Sequence, residues 1–438
     1  MHYPENTRQV EAIIQNARKI KTPLVARSSR GPHLHGASEN PIAETVDFSC
    51  MNRIIKIDRR SRYVRVEPGV TFGELIPLLK DAGMRLNMPL LPRAGKSVVA
   101  SALEREAVLI PKYQYDYTDP LLTVEAVFGT GDVFRTGSAA GPGSPEETRA
   151  DMVLPWGPGC VDYLRFFTGA QGTMGFVTWA TLKTEVLPSL SKLYFVQAAS
   201  AEKLTCLANT LLRRRIPDEC VILSRVSFAA AFAEDAAEED KLLSTLAPWV
   251  MLCRICGFER YPEERLSIYE GYLKEVCAEA GLEAVPEVSA LPGLADKVET
   301  KITDCDRRKT YWKLRRGGVR EIDMLCPPSR APRLITLLEN LSCPGAVGIT
   351  VQPQVLGRAF RIECSVFFSG DPTETEQVEK ALEDVSRQLF EAGAYFDRPY
   401  GKLSKIAFES DPVSTEAIRK LKRIFDPDGI LNPGKLCF

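Results

Sequence analysis

The sequence predicts an α+β protein in which a second domain is inserted into the first. Three observations carry this prediction. Helices and strands in the first part do not follow one another as in a βαβ array. Near residue 190, helix-like segments and apolar strands begin to alternate. The tail is a basic amphipathic helix followed by a terminus that contains Pro and Gly. We expect residues 1–190 to form the first domain, 191–398 the inserted domain, and 399–438 a segment that returns to the first.

Length and composition set the class of protein. The chain has 438 residues, more than one compact core usually holds, which favours two or three domains. Its net charge of −1 gives no electrostatic reason to expect nucleic acid or an anionic membrane as a partner, and no apolar run approaches the roughly 20 residues of a membrane helix. The first residues lack the form of a secretory signal, and the twelve cysteines show no disulfide-like spacing. We therefore expect a cytoplasmic protein.

In the first domain, the periodicity of apolar residues predicts helices and strands in a defined order. The predicted helices cover 8–20 and 72–83, and Gly83 is placed to end the second. The predicted strands are LVA after Pro23, 53–58, 63–68, 121–128 and 132–137. The segment 138–160, rich in Gly, Pro and Ala, predicts an ordered loop or lid.

A glycine-spaced loop then leads into a β-branched strand. Gly169, Gly172 and Gly175 come directly before the strand predicted for 176–182. Glycine has no Cβ and tolerates positive φ, so backbone in such a loop can approach a bulky ligand closely. An ordinary β-bulge would give the same pattern.

The inserted domain is predicted to mix helices with buried strands. The predicted helices cover 201–214, 262–281, 330–342 and 375–393. The predicted strands are KLYFVQAA, WVMLCRICGF and the long segment 351–368. The second of these contains the one CxxC pair, Cys253 and Cys256, which we interpret as strand packing because no second pair supplies further ligands for zinc or a cluster.

Five segments resemble one family. They are the strand and loop at 23–36, YVRVEPGVTFGELIPLL, LLTVEAVFGTGDVFRTG, GAQGTMGFVTWATLK and FDPDGILNPGK. Together they are similar to the FAD-linked oxidases and dehydrogenases that share the vanillyl-alcohol-oxidase or p-cresol-methylhydroxylase (PCMH) fold. The resemblance implies a two-lobed PCMH-type FAD-binding domain with an inserted α+β cap domain for the substrate. No GxGxxG fingerprint is present, which argues against a Rossmann flavoprotein.

The resemblance also implies which residues contact FAD. The loop after the first strand is expected to cradle the pyrophosphate, because successive N–H groups in a turn form an anion-binding nest and nearby arginines add charge. The implied set is Arg27, Ser28, Ser29, Arg30, Gly31, Pro68, Gly69, Val70, Arg93, Lys96, Ser97, Ala100, Ser101, Gly172, Gly175, Phe176, Val177, Asn432 and Lys435.

Two departures from the family pattern leave an alternative open. Ser28, Ser29 and Arg30 stand where relatives usually have glycines, and SVVAS at 97–101 stands where relatives often carry a Gly-Gly pair. A non-catalytic flavin-fold subunit is therefore a competing hypothesis. The chain has three histidines, His2, His33 and His35, and the last two come later than a tethering histidine usually does. We expect FAD to be bound without a covalent bond, and we predict no metal site.

Candidate catalytic residues follow from the loop GAYFDRPYG. Arg398 stands where phenol-oxidising relatives place an arginine that binds the substrate oxyanion, but Asp397 stands where they have tyrosine. A guanidinium is suited to a carboxylate or phenolate by bidentate bonding. The candidate catalytic residues are Arg398, Tyr395, Tyr400 and Arg358. The segment YWKLRRGG at 311–318 is interpreted as a pocket wall or a partner-facing rim.

The predicted activity is removal of a hydride from an alcohol, a hydroxy acid or a benzylic C–H carbon to flavin N5. No nicotinamide site or cluster is evident in the sequence, so we expect the electrons to leave to a partner carrier or an Fe–S subunit. The substrate is expected to be a small molecule and the protein an oligomer. An oxidase or hydroxylase of para-substituted phenols remains an alternative.

Overall fold

Three β-sheets organise this computed structural model, which describes residues 1–34, 40–111, 119–141, 143–148, 157, 159 and 161–438. The strands are β1 (Leu24–Arg27), β2 (Glu44–Asp47), β3 (Ile54–Asp58), β4 (Tyr63–Val66), β5 (Met84–Leu86), β6 (Leu121–Val127), β7 (Val133–Arg135), β8 (Phe176–Val186), β9 (Leu190–Ala198), β10 (Glu219–Ser224), β11 (Trp249–Gly257), β12 (Ala284–Val285), β13 (Gly318–Cys326), β14 (Ala346–Gln354) and β15 (Ala359–Phe368).

Helices cover these sheets and link their strands. They are α1 (Thr7–Ile20), α2 (Phe72–Asp81), α3 (Val98–Leu103), α4 (Pro145–Thr148), α5 (Ala201–Arg213), α6 (Arg225–Phe232), α7 (Ala236–Thr245), α8 (Pro262–Glu279), α9 (Leu294–Ile302), α10 (Ala331–Glu339), α11 (Pro372–Glu391), α12 (Lys402–Glu409) and α13 (Pro412–Phe425). Among the described helices, none combines the length and the apolar character needed to cross a bilayer.

The strands divide between sheets according to their place in the sequence. A parallel pair joins β1 and β2, and a six-stranded sheet has the order β3-β4-β8-β6-β7 with β5 also paired to β8. A seven-stranded sheet has the order β12-β9-β11-β10-β14-β15-β13. All seven of its strands lie between residues 190 and 368, which agrees with an inserted domain. The boundaries at 190 and 398 stay a prediction.

The two faces of β13 and β15 differ in chemistry. Ile322, Met324 and Cys326 point to the same side as Ile362 and Cys364, into a core that also holds residues of α5, α10 and α11. Side chains alternate between faces along a strand, so the intervening positions point the opposite way. Five of those positions are polar: they are Glu321, Asp323, Arg361, Glu363 and Ser365, and the apolar Val319, Leu325 and Phe367 flank them. This polar face becomes one wall of the candidate site.

Most predicted elements lie where expected, with one clear error. The segment 351–368 was predicted as one strand, but β14 and β15 form an antiparallel hairpin that turns at Val355–Gly357. Val355 and Leu356 have positive φ values of 49° and 56°, and a strand cannot continue through that backbone. The sequence analysis also missed β10, β13, α6, α7 and α9. The predicted loop at 138–160 contains α4, and residues 142, 149–156, 158 and 160 lie outside the described residues.

The C-terminal segment packs beside β1, near the start of the chain. The N–H of Leu24 donates to the carbonyl of Ile430, and the N–H of Asn432 donates to the carbonyl of Leu24, both at 2.8 Å. The buried carboxylate of Asp426 holds this segment by accepting the N–H groups of Ile430 at 3.1 Å and Leu431 at 2.9 Å. Lys422 donates to the same carboxylate at 2.5 Å, and the pair is almost wholly buried. The first aspartate of FDPDGILNPGK, Asp426, therefore has a structural role.

We predict that Asp426→Ala lowers the free energy of unfolding by about 3 kcal/mol or more, because it leaves the buried ammonium of Lys422 without its carboxylate. Urea unfolding followed by tryptophan fluorescence measures this. Asp428→Ala is the matched control, since Asp428 forms an ion pair with Arg18 at the surface and its loss is expected to cost less than about 1 kcal/mol. Equal shifts in the two variants would show that Asp426 does not anchor the tail.

Candidate functional site

A cavity of about 340 Å³ lies beside β1; we call it the outer cavity. Its walls come from four parts of the chain: β1 with the loop that follows it, α3, the glycine loop before β8, and the C-terminal segment. Many of its lining residues have small side chains, and these are Ala26, Ala43, Ala100, Gly172 and Gly175. Backbone is therefore exposed to whatever occupies the cavity.

Hydrogen-bond donors at one end of the outer cavity come from the loop after β1. Within the described residues, the N–H groups of Ser28 and Ser29 make no backbone hydrogen bond. The Ser29 hydroxyl accepts the N–H of Ser97 at 3.0 Å, which ties this loop to the start of α3. Two adjacent free N–H groups in a turn favour an anion. Arg27 contributes little net charge here, because its guanidinium forms an ion pair with Asp47.

Unsatisfied acceptors lie at the other end of the outer cavity. The Oδ1 atom of Asn432 and the Oε1 atom of Gln171 are buried without a hydrogen-bond partner among the described residues. The amide nitrogens of the same side chains are used, since Asn432 donates to the Gln171 carbonyl at 2.6 Å and Gln171 donates to the Pro399 carbonyl at 2.7 Å. Leaving a buried acceptor unpaired costs about 1–3 kcal/mol. A ligand with N–H or O–H groups would satisfy both oxygens.

A second cavity of about 110 Å³, the inner cavity, adjoins the first. Ser29, His33, Glu104 and Tyr400 line both. The wall opposite this shared boundary is the polar face of the seven-stranded sheet, and it contributes Glu321, Asp323, Thr350, Gln352 and Glu363. The inner cavity therefore lies between the sheet and the outer cavity.

Asp323 and Glu363 face one another across this wall. They are register partners of the antiparallel pair β13 and β15. Two like charges directly opposite on a sheet are unfavourable, so neighbouring cations must compensate them. Lys313 bonds to Glu363 at 2.6 Å and also pairs with Glu321, so that one ammonium serves two carboxylates. Burial, outweighing the attraction of Lys313, raises the pKa of Glu363 above its usual value.

The partner carboxylate belongs to a chain of buried charges. Asp323 pairs with Arg361 and accepts a hydrogen bond from Nη1 of Arg398 at 3.3 Å. Arg361 in turn binds Asp397 in a bidentate manner, at 3.1 and 2.7 Å. Burial raises the pKa of Asp323, whereas the neighbouring Arg361 lowers the pKa of Asp397 in spite of its burial. The Nε atom of Arg398 is buried and has no hydrogen-bond partner among the described residues.

A third group of charges lies at the boundary between the cavities. Lys96 bonds to Glu104 at 2.9 Å and pairs with Glu106. Burial alone would raise the pKa of Glu106, but Lys96 and Arg398 outweigh it and hold that pKa at about 2. Glu106 therefore stays ionised and is a weak base.

Comparison with known proteins identifies similar domains at both ends of the chain. A model described as "FAD binding domain" matches residues 1–137, and one described as "FAD linked oxidases, C-terminal domain" matches 400–436. A solved structure of p-cresol methylhydroxylase with bound substrate has a TM-score of 0.82 at 18% identity, with 100% of this chain and 88% of that chain covered. The chain therefore matches FAD-linked oxidase domains at both ends and shares the fold of p-cresol methylhydroxylase.

Two curated relatives show that similar chains have different named activities. The glycolate oxidase subunit GlcD of Bacillus subtilis is 24% identical over 443 residues, which are 99% of this chain and 87% of the relative. The flavoprotein subunit of 4-cresol dehydrogenase (hydroxylating) from Pseudomonas putida is 27% identical over 227 residues, 49% of this chain and 41% of the relative. These comparisons support FAD as the cofactor of this chain and oxidoreductase as its enzyme class.

The outer cavity suits FAD on its own features. The free N–H groups of Ser28 and Ser29 suit a pyrophosphate, so the loss of glycine in this loop has left backbone donors in place. The unpaired oxygens of Asn432 and Gln171 suit the hydroxyl and N–H groups of the flavin moiety. His33 lines both cavities, and His35 lies outside the described residues. Non-covalent binding stays a prediction.

The implied cofactor residues divide into three groups. Those that line the outer cavity are Arg27, Ser28, Ser29, Pro68, Ala100, Gly172, Gly175, Phe176, Val177 and Asn432. Ser29, Arg93 and Lys96 line the inner cavity. Of the described residues in the set, those that line neither are Arg30, Gly31, Gly69, Val70, Ser97, Ser101 and Lys435.

Several of the residues that line neither cavity have evident structural roles. Arg30 bonds to Glu74 at 2.9 Å, away from both cavities. The N–H of Gly69 donates to the Met51 carbonyl at 2.7 Å, and a Cβ on Gly69 would lie 2.5 Å from the Phe48 carbonyl oxygen. Position 69 therefore requires glycine because the neighbouring backbone leaves no room for a Cβ, and not because a ligand approaches it.

The candidate catalytic residues fall in two places. Arg398 and Tyr400 line the inner cavity. Tyr395 and Arg358 line a separate cleft that shares no lining residue with the inner or the outer cavity. Arg358 does not pair with Glu363, which bonds to Lys313 instead.

Sequence reasoning missed most of the charged wall. Glu104, Glu106, Gln171, Asp323 and Glu363 were not singled out, although Tyr311 and Lys313 of the predicted pocket wall do line the inner cavity. The available signal was the alternation of charged and apolar residues in β13 and β15. Such alternation ordinarily indicates a solvated face.

We predict that Ala100→Trp prevents FAD binding, because Ala100 lines the outer cavity and an indole there would occupy the space of the cofactor. Calorimetric titration of the apoprotein with FAD, together with the visible flavin absorbance, measures the loss. Ala140→Trp, at an exposed position that lines neither cavity, is the matched control and is expected to bind FAD normally. Normal FAD uptake by Ala100→Trp would mean that the cofactor lies elsewhere.

Proposed function

We propose that this protein is an FAD-dependent dehydrogenase that oxidises the carbon bearing the hydroxyl group of a small alcohol, and that it passes the electrons to a partner carrier. The observation that supports this activity is the facing pair Asp323 and Glu363 on the wall of a cavity that adjoins the FAD cavity. Oxidation of an alcohol requires a group that accepts the hydroxyl proton. FAD, when bound, supplies the hydride acceptor.

Glu363 is the proposed base. Its pKa is raised by burial, and a base works best when its pKa is near the working pH. Its side chain keeps 26% exposure, whereas that of Glu321, which shares Lys313, keeps 9%. Glu106 is a poor alternative because its pKa is about 2. Lys313 would stabilise the ionised form of Glu363 before each turnover.

Arg398 is the proposed anchor for the hydroxyl oxygen. Although burial alone would lower it, the pKa of Arg398 is raised by Asp323, so the guanidinium stays charged. Nη1 of this guanidinium is held by Asp323, and the guanidinium has further N–H groups that can donate to a substrate oxygen. Such a donor stabilises the negative charge that develops as the proton leaves. Tyr400, which stacks near Arg398, would complete the boundary with the FAD cavity.

The charge balance of the inner cavity favours an uncharged substrate. Its lining includes more carboxylates than cations; they are Glu104, Glu106, Glu321, Asp323 and Glu363 against Arg93, Lys96, Lys313 and Arg398. Three of those cations are already paired with carboxylates, and Arg93 bonds to the Arg30 carbonyl at 2.8 Å. A 2-hydroxy acid or a phenolate would bring a further negative charge, which is unfavourable here. We therefore place a neutral alcohol ahead of both.

Relatives suggest how the electrons leave. The match to a flavoprotein subunit of 4-cresol dehydrogenase supports a separate partner that receives electrons. We propose the same division of labour here, with residues 191–398 serving as the substrate domain and a cytoplasmic location.

We predict that Glu363→Gln lowers kcat by about 10²–10⁴-fold, the usual contribution of a general base. In the native protein kcat should rise with pH through the pKa of Glu363, which lies above that of a free glutamate, because only the ionised form accepts a proton. In Glu363→Gln this rise should disappear. The pH profile of kcat, measured with an artificial electron acceptor, tests both expectations.

The control is Glu321→Gln, which removes the other carboxylate that pairs with Lys313. It should keep the rise of kcat with pH and lose far less activity than Glu363→Gln. If both variants lose equal activity and both keep the rise, Glu363 is not the base.

We predict that neutral alcohols are oxidised with a kcat/KM at least about tenfold higher than 2-hydroxy acids of the same skeleton, because like charges in the cavity oppose the acids. Propane-1,2-diol against lactate and benzyl alcohol against mandelate form matched pairs, and p-cresol tests the phenol alternative. Turnover should be fast with an added dye as electron acceptor and slow with air. If the acids or p-cresol are oxidised faster than the neutral alcohols, the proposed substrate class is wrong. If turnover in air is fast, the proposed partner carrier is wrong.

A further inference from the structure

A third cleft, of about 590 Å³, opens beside the ends of β13 and β15; we call it the arginine cleft. Four arginines line it, and they are Arg105, Arg165, Arg330 and Arg358. Among the described residues, Asp397 is the single carboxylate on its wall. The arginine cleft shares no lining residue with the inner or outer cavity, and the proposed alcohol oxidation makes no use of it.

The positive charge of this cleft is local. The whole chain has a net charge of −1, whereas the cleft wall carries four guanidiniums against one carboxylate. That carboxylate is occupied, because Arg361 binds Asp397 through two hydrogen bonds from behind the wall. Like charges gathered in a concave site repel one another, so their presence together favours an anion between them.

Two of the arginines are held by neutral oxygens. Arg105 donates from Nη2 to the carbonyl and the hydroxyl of Thr168, at 2.9 and 3.0 Å. Arg330 donates from Nη1 to the Gly393 carbonyl at 3.2 Å. These bonds position the guanidiniums without neutralising them. Arg165 is different, because an exposed ion pair joins it to Asp162 at 2.9 Å.

Arg105 is the most informative of the four. Its Nε is buried and has no hydrogen-bond partner among the described residues. Its φ of +55° ends α3, because the N–H groups of Arg105 and Glu106 donate to the carbonyls of Ala102 and Ser101 at 3.1 and 3.2 Å. Burial lowers the pKa of this guanidinium, which nevertheless stays charged. Arg105 therefore presents a charged, partly buried guanidinium to the cleft.

We propose that the arginine cleft binds a phosphate group, either free or as the monoester of a small molecule. Guanidiniums bind phosphate oxygens through paired, planar hydrogen bonds, and a dianion suits several arginines at once. The concave shape favours a small molecule over the convex surface of an acidic protein, since ligand cavities of this kind span about 300–1,000 Å³. Tyr395, exposed on the cleft wall, is placed to contact the organic part of a monoester.

The test is calorimetric titration of the FAD-loaded protein with inorganic phosphate and with glycerol 3-phosphate, at constant ionic strength. We expect saturable binding at one site. Arg105→Gln and Arg358→Gln should each weaken it by about tenfold or more, the loss expected for one charge-assisted hydrogen bond. Arg358 is exposed, so its variant tests the proposal even if Arg105→Gln fails to fold.

Arg333→Gln is the matched control, because Arg333 is an exposed arginine of α10 outside the cleft lining. It should bind phosphate as the native protein does. Equal affinities for the two ligands would identify free phosphate as sufficient, and a much tighter monoester would show that the organic part is held as well. The proposal is overturned if no saturable binding occurs, if Arg358→Gln and Arg333→Gln bind alike, or if an acidic peptide binds where phosphate does not.

Discussion

The compensation of buried carboxylates by a few cations is the interaction on which the inner cavity depends. Asp323 and Glu363 stand opposite one another on adjacent strands, where they would repel without Lys313, Arg361 and Arg398. Removing Lys313 would leave Glu363 without a cation, and removing Arg361 would do the same to Asp397. An unpaired buried charge is far more costly than the absence of the whole pair. The same compensation is incomplete at Glu363, which shares its lysine with Glu321. That incompleteness gives the wall a group able to take a proton.

The outer cavity depends on a second constraint, the return of the C-terminal segment to β1. Asp426 and Lys422 hold this segment from within, and the segment in turn places Asn432 against Gln171. The cofactor residues thus come from both ends of the chain, with the inserted sheet between them in sequence. This explains why the two matched family models lie at 1–137 and 400–436 and leave the middle unmatched. The ends build the outer cavity, and the inserted sheet supplies the polar wall of the inner cavity.

The sequence predicted the local features well because they depend on neighbours in the chain. The helix predicted at 8–20 is Thr7–Ile20, and the strand predicted at 121–128 is Leu121–Val127. The hairpin of β14 and β15 was missed because a turn without proline, built on Val355 and Leu356, carries no strong turn signal. Tyr395 and Arg398 are three residues apart, yet one lines the arginine cleft and the other the inner cavity. The sequence analysis had placed Tyr395 and Arg398 in one site because they are close in sequence.

By itself the sequence predicted FAD binding, through the glycine loop before β8 and the closing motif FDPDGILNPGK. It also contains the alternation of charged and apolar residues that gives β13 and β15 a polar face, although β13 was not predicted from it. Local rules suffice for these, since periodicity and backbone freedom act over a few residues. Only the tertiary structure decided that this polar face is enclosed rather than solvated. Enclosure arises because residues near 90–107 and 311–313 close over the sheet. Desolvation, together with the distances between remote charges, sets the pKa of Glu363.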